Sequence, residues 1–109
     1  MAASIERLAI INPAASTNTI AFTADSTFLV SVIATNKSNQ NNATISIWVA
    51  PLGNDTAGSR GYIVSNLSVS YSNSYETFRF AMNNTDVLRV ESSTADVSFY
   101  VQGIDQLVT

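Results

Sequence analysis

The chain has 109 residues, of which 46% are hydrophobic, which is enough for one domain with a single core and too little for two. Only 12% of the residues are charged, the formal net charge is −3, and the five basic residues are scattered, so no basic surface for nucleic acid or for an anionic membrane is expected. The sequence contains no Cys and no His, which excludes disulfides, thiolate chemistry and the commonest transition-metal ligand.

Apolar and polar residues alternate with a period of two along most of the chain, which is typical of β-strands. Turns rich in Asn, Gly, Ser and Pro separate the alternating segments. The third segment is apolar on both faces, which predicts a central strand that is covered on both sides. No segment has a helical apolar period, so we expect an antiparallel β-sandwich or jelly roll without substantial helix. The predicted strands are 4–11, 19–24, 27–35, 43–50, 62–70, 74–82, 86–92 and 96–104.

A polar tract, NKSNQNN at 36–42, separates the third and fourth predicted strands. It is either a linker without regular structure or the turn of a long hairpin. Both flanking segments are dense in β-branched residues, and Asn tolerates the left-handed conformations that turns need. The pattern therefore favours a hairpin within a single domain that spans residues 1–109.

Neighbouring residues of a strand point to opposite faces of the sheet, so the alternation assigns each side chain to the core or to the outer face. One acidic residue, Glu76, falls on a predicted core face and needs either an arginine partner or a solvated end of the core. The side chains predicted to face the core are Ile45, Ile47 and Val49, then Phe78, Phe80 and Met82, then Leu88 and Val90, and finally Val97, Phe99 and Val101.

Large aromatic and arginine side chains fall on the predicted outer faces. Scattered exposed aromatics are common at the rims of small sandwiches. Trp, Tyr and Arg are also the residue types enriched at interface hot spots, which favours a contact surface between subunits. The interface candidates are Trp48, Tyr75, Arg79, Arg89 and Tyr100.

The sequence offers no set of residues that is typical of catalysis. A serine nucleophile would have to use Lys37, the single lysine, as its base, and no motif supports that pair. The eight acidic residues are dispersed, mainly at turns, and the segment GNDTAG at 53–58 lacks the alternating acidic ligands of a calcium loop. We therefore expect no catalytic residue, no metal and no cofactor.

Several segments together resemble small structural proteins of tailed bacteriophages, especially those of marine cyanophages. These segments are RLAIINPAASTNTIAFTA, then VSVIATN with ATISIWV, and then YIVSNLSVSYSNSYETFRFAMNNTDVLRVESSTADVSFYVQGI, which closes with an expected hairpin. The resemblance covers nearly the whole chain, but it consists of strand and turn patterns and not of a chemical signature. It implies a compact β-sandwich accessory component of the virion and supplies no catalytic residues.

This resemblance leads to the hypothesis of a capsid decoration or cement protein that binds the major capsid protein or other virion proteins as a symmetric oligomer, expected to be a trimer. A tail, neck or fibre component is the alternative. A carbohydrate-binding or host-surface-binding module, with Trp48, Tyr62 and Tyr71 as stacking platforms, is a hypothesis of a different class. The first residues lack the pattern of an export signal, so assembly in the host cytoplasm is expected. Residues 2–7 and 105–109 are candidate attachment strands.

Overall fold

The computed structural model describes residues 4–106, so the outer ends of both candidate attachment strands lie outside the described residues. Within that range the chain forms nine strands and two three-residue 3₁₀ turns, Pro51–Gly53 and Ala57–Ser59. The described part of the chain holds no helix that is long and apolar enough to cross a membrane. The strands are β1 (Glu6–Ile11), β2 (Thr19–Thr23), β3 (Phe28–Asn36), β4 (Ala43–Ala50), β5 (Gly61–Val69), β6 (Ser74–Glu76), β7 (Phe80–Met82), β8 (Val87–Ser92) and β9 (Val97–Asp105).

The strands form two antiparallel sheets with the topology of a jelly roll. One sheet has the order β1-β9-β3-β6, with β7 also paired to β3, and the other has the order β2-β8-β4-β5. The first four strands pair with the later ones in nested order, β1 with β9, β2 with β8, β3 with β6 and β7, and β4 with β5. Such a rolled-up hairpin is the double-Greek-key jelly roll. The predicted all-β antiparallel class is therefore confirmed.

Both predicted hairpins are wrong, because the strands on either side of each turn lie in different sheets. The tract after β3 crosses from one sheet to the other and is held at its base by Asn36. This side chain is fully buried, and its Nδ2 donates to the carbonyl oxygens of Asn41 (2.9 Å) and Val69 (3.0 Å). The turn between β8 and β9 crosses between the sheets in the same way. At these two turns, strands that follow each other along the chain therefore do not pair with each other.

The core lies between the sheets and contains most of the side chains that the alternation assigned to it. On β4, Ile45 and Ile47 are fully buried and Val49 is 9% exposed. Leu88 and Val90 of β8, and Val97, Phe99 and Val101 of β9, are all fully buried. The inward faces of these three strands are thus confirmed.

The predicted sixth strand is broken, and the break reverses its faces. Ile33 pairs with Glu76 and Val30 pairs with Phe80, so residues 77–79 contain one residue more than the two that lie opposite them on β3. A single extra residue turns every following side chain to the other face of the sheet. Thr77 lies buried in the gap, where its hydroxyl accepts a hydrogen bond from the backbone N–H of Val32 (2.9 Å).

Three assignments around this break are corrected. Tyr75, predicted to face outward, packs against the core opposite Ala34, whereas Glu76 is exposed. Phe78, predicted to lie in the core, is 90% exposed. Phe80 and Met82 follow the extra residue and face inward as predicted.

Candidate functional site

The five predicted interface residues do not form one surface. Trp48 and Arg89 are neighbours on the outer face of the sheet that contains β4 and β8. Tyr100 lies on the outer face of the opposite sheet, and Arg79 is exposed in the break between β6 and β7. Tyr75 packs into the core. The outer faces of the two sheets therefore have to be considered separately.

Trp48 does not face another subunit as an exposed side chain, since it is only 1% exposed within its own chain. It is nevertheless on the outer face, in one row with Ile20, Arg89 and Tyr62. The Arg60 guanidinium lies over the indole at 4.5 Å from its centroid, and the Tyr62 ring centroid is 5.5 Å away. Arg60 from the loop between β4 and β5 and Tyr62 of β5 thus cover Trp48, which lies in a small cluster on the outer face of the sheet, outside the main core.

Asp55 fixes this loop by accepting hydrogen bonds from three side chains. Trp48 Nε1 donates to Oδ1 (2.8 Å), and Asn18 Nδ2 donates to Oδ2 (2.8 Å). Arg60 donates to both oxygens, from Nε to Oδ1 (2.9 Å) and from Nη2 to Oδ2 (3.2 Å). Arg89 Nε lies 3.6 Å from Oδ2 as a second cation. The loop between β4 and β5, which contains Asp55, is thereby bound to β4, to β8 and to the turn before β2.

These contacts change the proton affinity of both members of the ion pair. Burial would raise the pKa of Asp55, but the hydrogen bonds from Trp48, Asn18 and Arg60, together with the Arg60 charge, outweigh it and hold the pKa below its usual value. The hydrogen bond to Tyr62 Oη, followed by the bond and charge of Asp55, outweighs desolvation and raises the pKa of Arg60. Asp55 therefore keeps its negative charge to a lower pH than an unperturbed aspartate does.

The depressed pKa of Asp55 predicts an acid-sensitive contribution to stability. Asp55 binds a proton less readily in the folded protein than in the unfolded chain. Its contribution to the free energy of unfolding is therefore complete above about pH 4, near the usual pKa of an aspartate, and is lost as the pH falls through the lower pKa of the folded protein. We expect the difference in free energy of unfolding between the wild type and Asp55→Asn to narrow as pH falls from about 6 towards 2. Urea denaturation at each pH measures that difference, and a difference that does not change with pH would contradict the assignment.

A polar groove lies beside this cluster on the same outer face. Its volume is about 230 Å³, and its lining includes Trp48, which is 1% exposed, and Tyr62, which is 46% exposed. The other lining residues include four with hydroxyls or an amide and one with a carboxylate, namely Thr44, Ser46, Asn66, Ser93 and Glu91. We refer to this as the Tyr62 groove.

The opposite sheet carries an apolar outer face. Ile10, Tyr100 and Ile33 are paired side by side across β1, β9 and β3, and Ile104 and Leu29 form a second row across β9 and β3. Ile10 is 49% exposed and Tyr100 is 36% exposed, while the other three are partly exposed. The prediction that β3 is covered on both faces is therefore wrong for the single chain. We call these five residues the apolar stripe.

A hydrogen-bonded polar pair and two charged residues lie next to the apolar stripe. Between the two rows, Gln102 Nε2 donates to Ser31 Oγ (3.0 Å), so these atoms already have a partner. Arg7 lies on the edge strand β1, opposite Gln102. Glu76 lies on the other edge, opposite Ile33. The face thus has two apolar rows separated by this hydrogen-bonded polar pair, a cation at one edge and an anion at the other.

Among residues 4–106 there is no group of three His, Cys, Asp or Glu side chains that could hold a metal ion. Lys37 Nζ donates to Asn12 Oδ1 (3.1 Å), which gives this ammonium a structural contact. The acid Asp86, which is 8% exposed, accepts from the backbone N–H groups of Leu52 (3.0 Å) and Asn83 (2.9 Å) and so anchors a turn. No protein-family model matches this sequence, and comparison with curated proteins and with solved structures gives no match.

Sequence reasoning missed the apolar stripe except for Tyr100. The third predicted strand is apolar at consecutive positions, a pattern that predicts cover on both faces, whereas in the structure one of these apolar faces forms part of the stripe. The Tyr62 groove had a weaker signal, since its hydroxyl-bearing residues come from three strands that are distant in sequence. Alternation places Ser46 and Glu91 on outer faces, yet only the pairing of β4 with β8 shows that they are neighbours.

Proposed function

We propose that the protein is a non-enzymatic virion structural protein that works by self-association through the apolar stripe. The observation that carries this proposal is the row of Ile10, Tyr100 and Ile33, which lies uncovered on the outer face of its sheet. The virion setting rests on the sequence resemblance alone. It implies attachment to the capsid exterior beside the major capsid protein, with a tail, neck or fibre position as the alternative.

The occupant of the apolar stripe in this proposal is a second copy of the chain. The molecule measures 45 × 31 × 19 Å, and the short dimension of a two-layer sandwich runs across its sheets. The broad face is therefore larger than the roughly 800 Å² that each partner buries in a stable interface. Jelly rolls also occur in viral capsid domains, where repeated copies pack against one another.

Charge complementarity supports a two-fold contact between the copies. A two-fold axis that lies between the two faces and runs parallel to the strands places β1 of each copy over β6 of the other, which brings Arg7 near Glu76 of the second copy. Such an isologous contact closes after two copies, whereas the trimer expected from the resemblance needs a heterologous contact. The solution mass distinguishes these two assemblies.

Introducing a charge into the apolar stripe is expected to dissociate the oligomer. We expect Tyr100→Glu and Ile33→Glu to weaken self-association at least about a hundredfold, since a carboxylate would be buried without a partner. Ser68→Glu is the matched control, because Ser68 is exposed on the opposite sheet and receives the same charge. Light scattering coupled to size-exclusion chromatography measures the mass, and an oligomer unchanged by both substitutions would contradict the proposal.

Reversing the edge charges tests the two-fold geometry itself. Arg7→Glu alone places two anions together and is expected to weaken the pair, and Glu76→Arg alone places two cations together. The double variant restores opposite charges and is expected to regain the lost affinity. Equal weakening in the single and double variants, measured by sedimentation, would rule out the two-fold arrangement.

A further inference from the structure

The Tyr62 groove presents one aromatic ring whose position is fixed by its neighbours. The ring packs against Trp48 at a tilt of 39°, and Arg60 Nη1 donates to Tyr62 Oη (3.0 Å). Arg60 is itself bound to Asp55 on its other side. Tyr62 is 46% exposed and is one of the residues that line the groove. A ring held in this way offers an apolar face to a ligand at little cost in side-chain entropy.

Apart from Trp48 and Tyr62, the groove is lined mainly by short hydrogen-bonding side chains. Ser46 Oγ accepts from the backbone N–H of Asn66 (3.0 Å), which holds Asn66 at a left-handed φ of 52° in the irregular part of β5. Glu91 on β8 pairs with Ser46, and Thr44 and Ser93 also line the groove. Hydroxyl, amide and carboxylate groups can between them both donate and accept hydrogen bonds.

The charge and size of the groove restrict its ligand. Its lining includes the acid Glu91 and no Lys or Arg side chain, so it disfavours phosphate, sulfate and other anions. Its volume of about 230 Å³ is below the roughly 300 Å³ at which pockets for drug-sized molecules begin. A ligand that suits the groove is therefore a single small ring that is neutral, rich in hydroxyls and apolar on one face.

We infer that the Tyr62 groove binds one ring of a neutral saccharide. The apolar C–H face of the sugar lies on Tyr62, and its hydroxyls reach Glu91 and the amide of Asn66. Trp48 supports Tyr62 from below and does not itself touch the sugar, because it is buried beneath Arg60. The inference does not depend on the proposed self-association, since the groove and the apolar stripe lie on opposite sheets.

The experiment is an NMR titration of the isotope-labelled protein with methyl glycosides of glucose, galactose, mannose and N-acetylglucosamine. We expect at least one of them to bind with a Kd in the millimolar range and to shift the backbone amides of Ser46, Asn66 and Glu91. Glucuronic acid, which has a similar ring and a negative charge, is expected to bind more weakly than glucose. The titration is carried out in the Tyr100→Glu variant, in which self-association is expected to be weakened. The result on saccharide binding is then independent of the result on self-association.

Two exposed tyrosines provide matched variants. Tyr62→Ala is expected to weaken binding about tenfold, whereas Tyr71→Ala, at a residue that is 50% exposed and outside the groove lining, is expected to leave it unchanged. Glu91→Gln removes the carboxylate charge and keeps the tyrosine ring, and we expect it to weaken saccharide binding several fold. This variant tests the inference if Tyr62→Ala does not fold. Absence of shifts with every glycoside, or equal binding by wild type, Tyr62→Ala and Glu91→Gln, would overturn the inference.

Discussion

Trp48→Ala is expected to lower the free energy of unfolding by about 3–5 kcal/mol, the usual cost of removing a large buried aromatic side chain. The indole is 1% exposed, carries Arg60 on its face and donates a hydrogen bond to Asp55. Its removal leaves a cavity and takes one donor from a carboxylate that holds the loop in place. Strand alternation alone would predict a small effect, because it places Trp48 on an outer face.

Phe78→Ala is the matched control for this prediction. Phe78 lies at a position that alternation assigns to the core, yet it is 90% exposed, so its removal is expected to change stability by no more than about 0.5 kcal/mol. Urea denaturation of both variants measures the two losses on one scale. A large loss for Phe78→Ala together with a small loss for Trp48→Ala would show that both face assignments in the structure are inverted.

Gly103→Ala is expected to destabilise the protein by about 1–3 kcal/mol, as overpacking of a core does. A Cβ added at this position would lie 2.7 Å from the carbonyl oxygen of Leu29 and 2.9 Å from Cδ1 of Leu8. The first of these atoms belongs to the backbone of the central strand β3 and cannot move aside without disturbing the sheet. Leu8 lies at the irregularity in the pairing of β1 and packs against the core in the space that the glycine leaves.

Gly58→Ala provides the control for Gly103→Ala, because a Cβ at position 58 has no neighbouring atom within 4 Å. We expect this variant to unfold at the urea concentration of the wild type, or slightly above it, since alanine reduces the entropy of the unfolded chain. Equal midpoints for Gly103→Ala and Gly58→Ala would indicate that the close approach of β9 to β3 is not as tight as described.

Local alternation predicted the strands and the core face of β4, β8 and β9 because each of these strands has regular inward positions. It failed at residues 77–79, where one extra residue exchanges the inward and outward faces of the strand, because the sequence pattern gives no sign of that residue. It also placed Trp48 on the correct face of the sheet, but it predicted an exposed side chain where the structure has a buried one. The cover of this side chain depends on the loop conformation that Asp55 and Arg60 fix.

The sheet topology could not be read from the order of the strands. In a jelly roll most consecutive strands lie in opposite sheets, so proximity in sequence says little about pairing, and both predicted hairpins were wrong. The same long-range pairing assembles the two candidate surfaces. Ile10, Ile33 and Tyr100 are separated by 20 residues or more along the chain and become neighbours only when β9 lies between β1 and β3.

Cross-linking between copies tests the central claim, self-association through the apolar stripe, most directly. The natural sequence has no Cys, so a single cysteine can be introduced without side reactions. Tyr100→Cys lies near the proposed two-fold axis, and Ser68→Cys is an exposed control on the opposite sheet. With a short bis-maleimide reagent at a protein concentration where the wild type is oligomeric, we expect covalent dimers from Tyr100→Cys and almost none from Ser68→Cys. Dimers from Ser68→Cys alone, or from neither variant, would contradict the account.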